Sequence, residues 1–234
     1  QNLVLNGVPT NIVGVVGTAP WGAVGQPVIV STMADYNANF GPIIARQHDM
    51  GTPVATAVQQ GAQDFRCVRV TDGTDTAAQS SPPGITVTFS AIHTGTLGNQ
   101  IVVTLQAGSR AATWQLLVGL PGVRPELYDN ITGTGAAFWL NLAAAVNTGQ
   151  GPQRGPSRLI TVDAGGATVT PSGFTISLGS TVPGTDGVSG VGTAQLLGQD
   201  GAIRTGLYAL RGQGCGIGVI ADSIDPLSWT AQAA

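Results

Sequence analysis

Ile12-Val13-Gly14-Val15-Val16-Gly17-Thr18-Ala19-Pro20-Trp21-Gly22 is the stretch on which the fold turns. Its first six residues are apolar or glycine with no polar alternation, the pattern of a short strand inside a sheet covered on both faces. Thr18 to Gly22 ends that strand as a turn. Working outward, Pro27-Val28-Ile29-Val30 reads as a second strand. Ser31 or Thr32 can cap a short helix through Phe40, which Gly41-Pro42 stops. Thr52-Pro53 repeats the cap-plus-proline signal, and Val54, Ala57, Val58 and Gly61 then share one helical face. Phe65 to Val70 returns as a strand. Residues 12–70 therefore predict an α/β unit.

The composition changes after this unit. Thr71 to Gly84 is rich in Thr, Asp, Ser, Ala and Pro and reads as a linker or domain crossing. Residues 85–180 read as mostly β, with strands at Ile85–Phe89, Ile101–Leu105, Trp114–Val118, Leu159–Val162, Ala167–Thr170 and Phe174–Leu178. One helix is expected from Ala136 to Asn147, with Phe138, Leu142 and Val146 along a face. A second Gly/Thr/Ser/Pro stretch, Gly179 to Gly192, leads out again. A short helix at Thr193–Leu197, then Gly206–Leu210, then a buried strand at Ile217–Ile220 restore the α/β character. The expected fold class is α+β / α/β. It comprises a discontinuous α/β core domain, residues 1–75 plus 186–234, with a β-rich domain inserted at 76–185.

The chain has 234 residues, 42% of them hydrophobic and only 9% charged, against roughly 25% charged in an ordinary soluble domain. Lysine is absent, all nine basic residues are arginine, and Glu126 is the single glutamate among twelve acidic residues. So few solvating groups predict a surface largely covered by partners in the working state. The net charge of −3 and arginines scattered from Arg46 to Arg211 argue against a nucleic-acid partner. No apolar run approaches the length of a membrane span, and Gln1-Asn2-Leu3-Val4-Leu5 does not read as a signal peptide. Cys67 and Cys215 read as two buried thiols, with a disulfide left open. The ends read as cut: Asp225-Pro226 opens a helix that Ala234 interrupts.

The sequence offers little to a chemist. Without lysine there is no P-loop and no Schiff-base chemistry. Gly212-Gln213-Gly214-Cys215-Gly216-Ile217-Gly218 has isoleucine where the third glycine of a dinucleotide fingerprint belongs, and it leads into a strand rather than out of one. It reads as a flexible turn. No serine occupies a nucleophile elbow. His48 and His93 are read as exposed loop histidines, and no Cys/His spacing suits zinc. Asp72-Gly73-Thr74-Asp75 and Asp222-Ser223-Ile224-Asp225 could each meet a hard cation, but read as turn-forming aspartates. Asn130-Ile131-Thr132 is a formal sequon without a secretory context. No catalytic, cofactor-binding or metal residue is therefore assigned, and no enzymatic activity is expected.

The ordered segments resemble the contractile phage tail sheath protein family (Myoviridae-type tail sheath subunits). Ile12 to Gly22 is similar to that family's opening strand and its Gly-x-Ala-Pro-x-Gly turn. Pro27–Val30, Phe40-Gly41 and Phe65–Val70 follow in the family's order. Thr94 to Ile101 and Glu126-Leu127-Tyr128-Asp129-Asn130 resemble segments of its inserted domain. Asp186-Gly187 and Thr205–Leu210 match the return to the core. The family continues to a C-terminal arm that has no counterpart up to Ala234. By itself, the chain is therefore expected not to form ordered tubes.

The resemblance implies a helical sheath of identical subunits around an inner tail tube, meeting baseplate and tail terminator proteins. It places the chain in a virion tail, assembled in the host bacterial cytoplasm. Contraction would drive the tube through the host envelope without nucleotide, cofactor, nucleic-acid contact or membrane insertion. A bacteriocin-like contractile particle is equally compatible. Two other classes compete: a β-rich adhesive or carbohydrate-binding surface module at residues 85–180, using Trp114 and Trp139, and a metal-dependent hydrolase using the Asp pairs.

Overall fold

The computed structural model describes residues 11–226. Eleven strands and four α-helices appear among them. They divide into two compact units: Thr76–Thr185, and the described residues of Gln1–Asp75 and Asp186–Ala234.

Unit one is built on β1 (Val13–Gly17), all five of whose residues are buried. Its sheet has the order β11-β1-β3-β2, with β3 at Phe65–Arg69, β2 at Pro27–Val30 and β11 at Ile217–Ile220. β1 runs parallel to β3 and β11, while β2 is antiparallel to β3. Alternate residues of β1 enter different cores. Val13 and Val15 join Val30, Tyr36, Phe40, Val54, Phe65 and Cys67 in a cluster built with α1 (Met33–Phe40) and α2 (Gly51–Gln59). Val16 joins Val68, Val70, Leu196, Leu210 and Ile220 on the other face, with α4 (Thr193–Leu197) and the 3-10 turn Gly206–Leu210. Two covered faces leave no position for a polar residue, which is why the run is continuous. Gly14 is part of this logic, because a Cβ there would sit 2.6 Å from Leu210 Cδ1.

The helices follow their capping chemistry with one correction. Thr32 caps α1, its hydroxyl accepting from Asp35 N at 3.1 Å. Thr52, expected to cap α2, lies inside it. The helix starts at Gly51, and the Asp49 carboxylate accepts from Thr52 N and from Thr52 Oγ1, both at 2.8 Å. Asp49 stands three residues before the amide it accepts from, the spacing a capping side chain needs, whereas Thr52 is already inside the helix.

Unit two holds two antiparallel sheets. One has the order β10-β6-β7-β8, with β6 at Val102–Ala107, β7 at Trp114–Gly119, β8 at Glu126–Ile131 and β10 at Phe174–Ser177. The other has the order β4-β5-β9, with β4 at Ala77–Ser80, β5 at Thr88–Thr94 and β9 at Ile160–Asp163. Helix α3 (Gly135–Asn147) packs on β8 and β9, burying Phe138, Trp139, Leu142 and Val146.

Three expectations shift in this unit, and one strand goes unforeseen. The linker expected after Thr71 contains β4. The strand expected at Ile85–Phe89 begins only at Thr88, where its partner β9 starts to pair, Thr88 facing Asp163. Ala167–Thr170 forms no strand; its Val169 carbonyl accepts from Trp139 Nε1 at 2.9 Å instead. β8 escapes a reading by hydrophobic pattern because its inward residues include Glu126, whose carboxylate meets Arg154, Ser157 Oγ and Arg158 N. In unit one, β11 is at the sheet edge and only its last residue, Ile220, is buried, while Ile217 is 46% exposed. The helix expected beyond Pro226 lies outside the described residues.

Both chain crossings are stapled within their own units. Thr76 and Thr185 exchange backbone hydrogen bonds at 3.2 and 3.1 Å, and their hydroxyls lie 2.9 Å apart. On the unit-one side, Asp72 N donates to Gly187 O at 2.8 Å, and Asp72 Oδ2 accepts from Gly190 N at 2.8 Å. The Asp72 carboxyl is held down to about 2 by the Thr74 hydroxyl first, then by the amides of Thr74 and Gly190.

Two outcomes are expected. Replacing Thr76–Thr185 by a short glycine linker leaves unit one folded, checked by circular dichroism and a cooperative melt. A folded-state value below the ordinary 3.8 means that Asp72 stabilises above that pH, and the contribution is lost as pH falls through about 2. Asp72→Ala therefore lowers stability at neutral pH and reduces the loss seen on acidification, read from denaturant midpoints in acid and at neutrality.

Candidate functional site

In an open α/β sheet, ligands bind beyond the carboxyl ends of the strands, at the point where the strand order reverses. Here that point lies between β1 and β11, at Gly17-Thr18 and Ala221-Asp222. The chain fills it with its own segment. Thr18 N donates to His48 O at 2.6 Å, Thr18 Oγ1 donates to the same oxygen at 3.0 Å, and Met50 N donates to Thr18 O at 3.0 Å. From the other side, His48 N donates to Asp222 Oδ2 at 3.0 Å, and His48 Nδ1 lies 2.8 Å from Ala221 O. A carbonyl only accepts, so Nδ1 carries the proton. His48 and Asp222 both take left-handed backbone, with φ of 59° and 50°. The fit is close enough that a Cβ on Gly17 would come within 2.6 Å of His48 O.

His48 is therefore not an exposed loop histidine: it is buried, and its ring is committed to a carbonyl. No local signal marks it, because its partners stand 30 and 173 positions away. His93 belongs to β5 and to unit two, so the two histidines do not converge on one sheet.

Beside this plug lies a set of buried charges that look merely scattered along the sequence. Arg46 pairs with Asp186 at 3.0 Å, with side chains only 9% and 11% exposed. Arg69 is fully buried and donates from Nη1 to Gly22 O at 2.7 Å. Burial lowers its guanidinium to about 10, opposed by Asp75 and Asp186. Burial also drives the Tyr36 phenol far above its ordinary range, with Asp49 adding to the effect. These groups are buried close together, and burial is the first cause of the shifts at Arg69 and Tyr36.

The remaining candidates resolve in the same direction. Asp72 and Asp222 each accept from backbone amides, and Asp225 accepts from Thr193 Oγ1 at 2.6 Å. No three metal-ligating side chains gather among the described residues. Cys67 and Cys215 are both free and pack into different cores, on different faces of the sheet. Cys67 is buried and pushed up to about 12 by that burial. Cys215 is half-buried rather than buried, and its thiol is also raised by desolvation. Trp139 is fully buried and offers no face to a sugar, while Trp114 is partly buried and meets Phe138 edge-on at 6.2 Å. No helix among the described residues is long and apolar enough to cross a membrane.

Among its described residues, unit one presents two sheet edges. β2 and β11 pair on one side only among the described residues. Ile29 on β2 is 63% exposed and Ile217 on β11 is 46% exposed. Unpaired strand edges are the natural template for another strand.

No protein-family model and no curated protein matches the sequence. Solved structures do. A sheath tail protein from Listeria innocua superposes with a TM-score of 0.53 at 17% identity, over 75% of this chain and 34% of that one. A sheath tail protein from Desulfitobacterium hafniense gives 0.50 at 15% identity, over 76% of this chain and 36% of that one. The chain thus shares its α+β fold with sheath tail proteins and spans about a third of their length.

The thiols give a direct check of the interior. In native protein, iodoacetamide is expected to modify Cys215 slowly and to leave Cys67 untouched, with both modified after unfolding. Mass spectrometry of peptides quenched over time reads the order.

Proposed function

We propose that this chain is part of a structural subunit of a tail sheath, polymerising around an inner tube and contracting to drive that tube through a host envelope. The observation that carries the reading is the fold likeness to two sheath tail proteins across three quarters of the chain. Two features of unit one support it. The crevice where an α/β sheet would hold a ligand is occupied by His48–Met50, which supports a structural role. Its sheet ends in open edges on both sides among the described residues.

A contractile lattice has to keep neighbours joined while they rotate. Strand addition suits that task, because main-chain hydrogen bonds hold an extended partner without needing an interlocked side-chain surface. In this reading unit one is the discontinuous core of residues 1–75 and 186–234, and β2 and β11 receive strands from neighbouring subunits. Thr76–Thr185 is the inserted outer domain. The partners are identical subunits, the tube protein, and the baseplate and terminator proteins at the ends. The site of action is the virion tail, after assembly in the host cytoplasm. The work comes from a change of lattice, so the subunit is not an enzyme.

Electron microscopy of the purified full-length subunit, of which this chain is proposed to be a part, is the test. Long hollow tubes are expected. A species that stays monomeric under every polymerising condition would end this reading. Ile29→Lys places a charge on the exposed β2 edge; it should suppress tubes while leaving the melting temperature of the subunit within a few degrees of wild type.

A further inference from the structure

Three buried polar atoms of unit one make no hydrogen bond to any described residue: the Tyr36 hydroxyl, Asp49 Oδ1 and Arg46 Nε. Tyr36 is wholly buried, Asp49 nearly so, and the Arg46 side chain is 9% exposed. The rest of each side chain is already committed. Asp49 Oδ2 accepts from Thr52 N and Thr52 Oγ1, both at 2.8 Å, which leaves Oδ1 over. Arg46 Nη1 faces Asp186 at 3.0 Å, which leaves Nε over. The Tyr36 ring tilts against Phe40 with centroids 5.4 Å apart. Its hydroxyl lies against the first residue of α2, where a Cβ on Gly51 would come within 3.1 Å of it. Asp49 stands two residues before that glycine.

The three side chains are near enough to act on one another. After burial, the Asp49 charge is the largest cause raising the Tyr36 phenol, and Arg46 pulls the phenol the other way. Yet none of the three atoms is bonded to another. Polar groups within electrostatic reach but beyond a hydrogen bond are where a bridging molecule belongs. Native interiors satisfy nearly all their buried polar groups, because each one left dry costs about 1–3 kcal/mol. A cluster of three is a stronger signal than a single atom. Arg154 Nε in unit two is also without a bond, but it stands alone and carries no such argument.

The atoms define the chemistry of the guest. It must accept from Arg46 Nε and donate to Asp49 Oδ1, while the Tyr36 hydroxyl can do either. Asp49 repels an anion and Arg46 repels a cation. Tyr36 belongs to the packed cluster that holds Phe40, Met50 and Val54, which limits the guest to very few atoms. Water meets every condition, and three partners is the usual number for a buried one. We propose that unit one binds a single internal water between the Tyr36 hydroxyl, Asp49 Oδ1 and Arg46 Nε. This water ties the Arg46–Met50 segment to α1. The same segment fills the crevice at the sheet through His48, so it is held by Thr18 and Ala221 on one side and by the hydrated tyrosine on the other. The proposal does not rest on the sheath reading: the water would serve a unit of this fold in any assembly.

Tyr36→Phe in the whole chain tests it by the sign of the effect. With the water in place, the substitution takes away one of its partners, and the variant is expected to melt about 3 °C below wild type. A hydroxyl buried without water would be relieved by the same change, so a variant that melts at or above wild type overturns the proposal. A high-resolution X-ray structure of the unsubstituted chain gives the second reading, which stands even where the variant does not fold. A solvent peak within hydrogen-bond distance of all three atoms sustains the proposal. A site closed by direct bonds among them, or one with no solvent density, overturns it. Neither measurement depends on tube formation, so this proposal and the sheath reading fail independently.

Discussion

Burial of β1 on both faces is the constraint from which the rest of unit one follows. A strand with no solvent side needs a core above and a core below. Val13 and Val15 demand α1 and α2, and Val16 demands α4 and the turn at Leu210. The helix and turn that close the second core begin only at Thr193, far along the chain from the strand that needs them. The first segment is therefore incomplete without the last, and whatever lies between them must leave and return at one place. The paired threonines at 76 and 185 are where it does so.

Much of this is legible because local chemistry and long-range packing agree. Pro27–Val30 and Thr193–Leu197 fall where the sequence puts them, since a proline or a glycine marks their ends and apolar side chains fill them. Where the two levels disagree, tertiary partners decide. β5 starts at Thr88 and not at Ile85 because a strand exists only where its neighbour does. β8 hides behind a glutamate and an aspartate, since a buried carboxylate reads as solvent-facing until its arginine and serine are seen beside it. β11 reads as interior because an apolar tetrapeptide says nothing about whether one neighbour or two will flank it.

The candidate site is less legible than the fold. The resemblance of the ordered segments points to sheath proteins, and solved sheath tail structures share the fold. No local pattern announces that His48 turns inward. Its left-handed backbone, the tautomer set by Ala221 O and the reach to Asp222 all depend on residues distant in sequence. The buried pairing of Arg46 with Asp186 is likewise invisible in a one-dimensional string of charges, because only folding brings position 46 to position 186. Low charge overall is readable; which charges go inside is not.

The double crossing at Thr76 and Thr185 has a mechanical consequence. Any tension on Thr76–Thr185 is divided between two covalent strands running side by side, while the hydrogen bonds joining them lie across the pull and not along it. Those bonds keep the two strands together, and the strength of the link is that of the polypeptide backbone. A part so attached can be dragged, twisted or struck without its tether being the first thing to fail.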